Sequence, residues 1–122
     1  MVRTGITLGV PWALWHGLAD YWGSAASFGA LWPAHMAEWV VALTAFRVLM
    51  TWAYAQTGSL PLAMAMHAGF TGGQALLWPG TITPTEGMIW YGYFAVILWL
   101  VVLWFVPGQD LRAGVARRAG AK

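Results

Sequence analysis

The sequence predicts an all-α integral membrane protein, a helical bundle of about four transmembrane segments. Composition is the first observation behind this. Of 122 residues, 60% are hydrophobic and 8% charged, where a soluble domain has about 25% charged residues to coat its surface. The second is the mean hydropathy of +0.62. The third is the set of 10 Trp, because the amphipathic indole favours the membrane–water interface. The chain has no Cys, so disulfides and thiolate metal sites are excluded. Its formal charge of +2 is not gathered into a basic stripe of the kind that follows phosphates, and nucleic acid is not an expected partner.

The first segment runs from about Thr4 to Trp22, with no charge between Arg3 and Asp20. No small-residue cleavage site follows its apolar run, so no signal peptide is expected. Gly5 and Gly9 form a small-xxx-small pair suited to close helix contact. Pro11 cannot donate a hydrogen bond to Thr7 and predicts a kink. The Gly23–Pro33 stretch reads as a loop, with His35 and Glu38 just beyond it at the interface.

The second segment, about Ala34 to Ala55, carries Arg47 inside an apolar run. A guanidinium at that depth is costly, so it is expected to make an ion pair or to snorkel towards water. The short turn Gln56–Ser59 makes segments two and three antiparallel neighbours. Segment three, about Ser59 to Trp78, holds His67 among Ala63, Ala65, Ala68, Gly69, Gly72 and Gly73. So many small residues predict that a neighbouring helix approaches closely. Pro79 to Gly87 is a second polar loop. Segment four, about Met88 to Val106, has no ionisable charge and spans at ~1.5 Å per residue. The division is thus a transmembrane domain over 1–107 and a basic tail over 108–122, with Arg112, Arg117, Arg118 and Lys122.

Basic residues set the orientation. The positive-inside rule makes the tail cytoplasmic, where it lies against membrane lipid. Counting back through the spans puts Arg3 and the Gln56–Ser59 turn on the same side. The two loops on the far side lack Lys and Arg, while Asp20, Glu38 and Glu86 lie at their edges. The expected location is the cell (plasma) membrane.

Chemistry concentrates on two histidines inside apolar segments. His16 follows Trp12 by four residues and Thr71 follows His67 by four, so each pair shares a helical face. At helical rise His16 lies about 18 Å and His67 about 12 Å from the cytoplasmic end, so the imidazoles can meet within the membrane. Two neutral imidazoles can hold a water or a divalent metal such as zinc. Catalytic zinc takes three protein ligands, often including a carboxylate. The carboxylates here, Asp20, Glu38, Glu86 and Asp110, all fall near segment ends. Spacing therefore supplies half a site. A lone membrane histidine can instead simply bond a neighbour's carbonyl, and Trp12 and Trp15 read as packing residues.

Two stretches carry a family resemblance. VPWALWHGLADYW resembles the FxxxH motif of the CPBP family, the CAAX-protease and bacteriocin-processing (Abi) intramembrane metalloproteases, with Trp12 at the aromatic position and His16 as the histidine. TWAYAQTGSLPLAMAMHAGFTGG resembles the family's HxxxN or HxxxD motif, with its Thr-Gly-Ser lead-in, His67 as the histidine and Thr71 at the final polar position. The resemblance covers about Thr4 to Trp78. It implies a multi-helix endopeptidase acting on peptide or protein substrates by a glutamate-activated water. His16 and His67 would position the water or metal, and Thr71 would help hold the oxyanion.

The sequence departs from the family in two ways. It has no EExxxR motif and no adjacent acidic pair, and Thr71 stands where Asn or Asp is usual. A threonine hydroxyl still donates one hydrogen bond. The simplest expectation is the C-terminal half of a longer protease, partnered by an upstream N-terminal half that carries EExxxR. Without a glutamate base, proton transfer worth about 10²–10⁴-fold is missing, and the isolated chain is expected to be inactive. Two other readings compete: a non-catalytic bacteriocin-immunity or adaptor protein on the same scaffold, and a haem-binding subunit with His16 and His67 as axial ligands.

Overall fold

Four long helices and one short turn form in the order the apolar segments set out. The computed structural model describes residues 1–23, 28–77 and 80–106, so the tail over 108–122 lies outside the described residues. Helix α1 is Val2–Gly23. It continues through Pro11, which sits inside it. A 3₁₀ turn at Gly29–Leu31 leads directly into α2, Trp32–Thr57. Pro33 occupies the first turn of α2, where the missing N–H has no helical partner to lose. The helix stops at Gly58, whose φ of 61° is left-handed and suits a residue without Cβ. Helix α3 is Leu60–Leu77. Ser59 caps it by accepting from the Leu62 N–H at 3.2 Å. Helix α4 is Pro84–Phe105, opened by a capping box in which Thr83 and Glu86 bond each other's backbone.

The central helix is α2, with α1 and α4 packed along it. Small residues let α1 close on α2. A Cβ on Gly5 would sit 2.7 Å from Val48 Cα, and one on Gly9 would sit 3.0 Å from Thr44 Cα. As α1 advances its contacts on α2 run backwards, to Met36 beside Gly17, so the two helices are antiparallel. On the other side Ala45, Val48 and Leu49 of α2 form a buried core with Val102 of α4 and the following Val106. The Trp99 indole N–H adds a hydrogen bond to the Val41 carbonyl, 3.1 Å.

Helix α3 is held differently, since none of its residues is buried. An aromatic ladder ties it down: Phe46 of α2 stacks on Phe70 at 4.1 Å, and Phe70 meets Phe94 of α4 at 5.5 Å. At Gly69, Gly72 and Gly73 the close approach expected of small residues is not made by the described residues, because none lies within 4 Å of a Cβ built there. The small residues that do admit a neighbour are those of α1.

Two polar side chains are enclosed by neighbours that the sequence did not pair with them. His35 is 2% exposed, with its ring stacked 3.9 Å from Phe28 and edge-on to Tyr91 at 5.0 Å. The Gly29–Leu31 turn and Phe28 fold back over it, a local closure that no periodicity announces. Arg47 makes no ion pair among the described residues. Its guanidinium lies 5.8 Å from the Trp12 ring centroid, and its Nε is buried without a hydrogen-bond partner.

Among the described residues, two helical stretches are long and apolar enough to cross a membrane, Gly29–Thr57 with 29 residues and Pro84–Phe105 with 22. Helices α1 and α3 occupy the places of segments one and three, yet these are the two that carry His16 and His67. The site histidines thus ride on the two long helices outside that pair.

Candidate functional site

Helical spacing delivers the site residues to one place. On α1, Trp12 and His16 are one turn apart. The His16 Nδ1–H donates to the Trp12 carbonyl at 2.9 Å. A carbonyl only accepts, so Nδ1 carries a proton, and in the neutral tautomer that this bond selects Nε2 holds the lone pair. On α3, His67, Thr71 and Gln74 follow at i, i+4 and i+7, a single face.

The Trp12 indole touches both histidines. Its ring meets His16 edge-on at 4.7 Å and His67 at 5.6 Å. Beside it lies a cavity of about 100 Å³ lined by His16 of α1, Trp39 and Leu43 of α2, and His67, Thr71 and Gln74 of α3. That volume holds one or a few waters, and the lining offers several polar partners for them. Both imidazoles are half-buried, as is Gln74, while Thr71 is exposed at the edge.

The structure adds Gln74, a site residue that the motif reading passed over. The Tyr91 hydroxyl of α4 donates to Gln74 Oε1 at 2.9 Å. With its oxygen engaged, the carboxamide has its two N–H donors left for the cavity it lines. The signal was present in sequence, since Gln74 continues the His67–Thr71 face by one more turn. Its partner Tyr91, 17 residues on and in another helix, had no local signal.

No carboxylate lines this cavity. Asp20 accepts from the Trp32 indole N–H at 2.9 Å, and Glu86 is engaged in the α4 cap. Glu38 faces α4, with Oε1 3.7 Å from a Cβ built on Gly92. Among the described residues no group of three or more His, Cys, Asp or Glu is placed to hold a metal. The two imidazoles alone fall short of the three protein ligands of a catalytic zinc, so no step is routed through a metal.

A second, larger cleft adjoins the first. It measures about 750 Å³ and runs between α1, α2 and α3, with Leu8, Met50, Leu60 and Met64 among its apolar walls and Arg47 and His67 as its ionisable groups. Trp12 and His67 line both spaces.

The helices define an all-α integral membrane protein in which two half-buried histidines line one small cavity. Residues 3–72, more than half of the 122, match the family described as type II CAAX prenyl endopeptidase Rce1-like, and the chain belongs to that CAAX protease family. No curated protein and no solved structure matches it. The match includes His16, His67 and Thr71, and ends before Gln74 and Tyr91.

Proposed function

We infer that the chain supplies the two-histidine side of an intramembrane peptidase site. The observation that carries this is the cavity shared by His16, His67, Thr71 and Gln74. The His16 Nε2 lone pair, fixed by the Nδ1–H bond to Trp12, accepts a hydrogen bond from a water held in the cavity, and the water keeps that proton until the glutamate base acts. This orients the water oxygen towards a peptide carbonyl. Thr71 and the Gln74 carboxamide, both in the same lining, donate to the oxyanion that develops. Burial beside Trp12 and Leu43 strengthens each of these contacts by excluding bulk water.

The base that takes a water proton and returns it to the leaving amine comes from outside residues 1–122, from a glutamate of an EExxxR segment. The protein acts in the cell membrane, with Arg3 and the Gln56–Ser59 turn facing the cytoplasm. Its substrates are peptides presented within the bilayer.

The test is reconstitution in vesicles with a quenched fluorescent apolar peptide. The chain alone cleaves little or nothing. Co-insertion of a helix carrying EExxxR raises cleavage, and His16→Ala or His67→Ala in that supplemented system lowers it by about 10²-fold or more. A folded, supplemented complex with no cleavage overturns the reading.

The absence of a carboxylate from the cavity favours a second reading, a non-catalytic membrane protein on the same scaffold. In that case function survives both alanine substitutions. Haem ligation is disfavoured, because the Trp12 indole rather than open space lies against both imidazoles.

A further inference from the structure

Arg47 is a charge without a matching partner in an apolar setting. It makes no ion pair among the described residues, and its buried Nε has no hydrogen-bond acceptor. Its contact with Trp12 at 5.8 Å stabilises a cation but satisfies none of its N–H donors. A buried donor left in this state is unfavourable, and a cation more so. The guanidinium also lines the 750 Å³ cleft, whose walls are otherwise mostly apolar. That size falls in the range of ligand pockets, roughly 300–1,000 Å³.

We propose that this cleft binds an apolar chain ending in a carboxylate, with the carboxylate paired to Arg47. The geometry of charge specifies the head. A guanidinium presents its donors as a planar fork that matches a carboxylate with two bonds at once. One cation balances one anion, which favours a carboxylate over a phosphate monoester of about −1.5 to −2. The walls specify the tail: Leu8, Met50, Leu60 and Met64 cover an apolar chain, and methionine thioethers adapt to its shape. An acyl chain and the free C-terminal end of an apolar peptide share this chemistry. The site does not depend on His16, which lines the smaller cavity and not this one.

The experiment is equilibrium binding to the full chain in a neutral detergent, with radiolabelled dodecanoate and dodecanol as probes. Dodecanoate binds at least about tenfold more tightly than the alcohol, the ratio expected of a charge-assisted hydrogen-bonded pair. Arg47→Gln abolishes the difference, Arg47→Lys keeps part of it, and His16→Ala leaves it unchanged. Met64→Trp, at an exposed cleft position, weakens both probes with Arg47 intact. This second variant keeps the proposal testable if Arg47→Gln does not fold. Parallel binding of an acetylated apolar tetrapeptide as its free acid and as its amide separates the two sources. A preference for the acid assigns the site to peptide ends, and equal binding assigns it to acyl chains. Equal affinity for dodecanoate and dodecanol, or a preference that survives in folded Arg47→Gln, overturns the proposal. Because no step is catalytic, that outcome leaves the peptidase reading untouched, and loss of peptidase activity would leave this site untouched.

Discussion

At the scale of single residues, the site rests on which atom of each polar group is already occupied. His16 spends its Nδ1–H on the Trp12 carbonyl, and Gln74 spends its oxygen on Tyr91. Each is left with one chemical sense towards the cavity, an acceptor for His16 and donors for Gln74. Tyr91→Phe removes the hydroxyl but keeps the ring that packs edge-on to His35. Loss of the Gln74 hydrogen bond alone lowers stability by about 0.5–1.5 kcal/mol, read from thermal unfolding in detergent, and any other contact of the hydroxyl adds to this. In the supplemented peptidase it also lowers cleavage, because the Gln74 amide is free to turn. His16 and His67 were legible in sequence because an ionisable group in an apolar run stands out, and Thr71 because it shares the His67 face. The burial of His35 was not legible, because the Tyr91 ring that covers one side of it comes from another helix and Phe28 reaches it only through the turn before α2.

At the scale of elements, the glycines separate into two physical kinds. Those of α1 are contacts, and those of α3 are free of neighbours. Gly5→Ala sets a methyl 2.7 Å from the Val48 backbone, so α1 must move off α2. Overpacking of this kind costs about 1–3 kcal/mol. Gly69→Ala meets nothing within 4 Å and relieves the entropy cost of glycine in a helix, a gain of about 0.5–1 kcal/mol. Thermal unfolding of the two variants side by side reads the contrast: Gly5→Ala lowers the midpoint and Gly69→Ala raises it. Small-residue spacing alone did not tell the two cases apart, because the pattern records that a close approach is allowed and not that a partner is there. The turn at Gly58 and the capping box at Thr83–Glu86 were better determined, since their signals are complete within a few residues.

At the scale of the whole molecule, the sequence specified four helices in the right order, with antiparallel neighbours. The packing bears this out: Val2 lies with Val102 and Val106 at one end, while Asp20 meets Trp32 and Gly87 meets Phe28 at the other. What the sequence did not disclose is the division of labour. Helix α2 is the shared core, α4 completes it, and α3 is attached by the Phe46–Phe70–Phe94 ladder, the packing of Met66 on the core, and the Tyr91–Gln74 hydrogen bond. Hydropathy is blind to this, because it scores a residue's solubility and not its neighbours. Phe70→Ala should therefore loosen α3 selectively. Hydrogen exchange would rise across Leu60–Leu77 while Ala45–Leu49 stays protected, as expected of a low-contact element.

The central claim is that imidazoles from two separate helices face one cavity, and the absence of cysteine from the sequence gives it a clean test. The His16→Cys, His67→Cys double variant is treated in membranes with a short bifunctional thiol reagent and digested between the helices. A parallel pair, Leu18→Cys with His67→Cys, uses the exposed Leu18 as the comparison. Rapid intramolecular cross-linking of the first pair and slow cross-linking of the second is the predicted result. Equal rates, or failure of the first pair alone, would contradict a shared site.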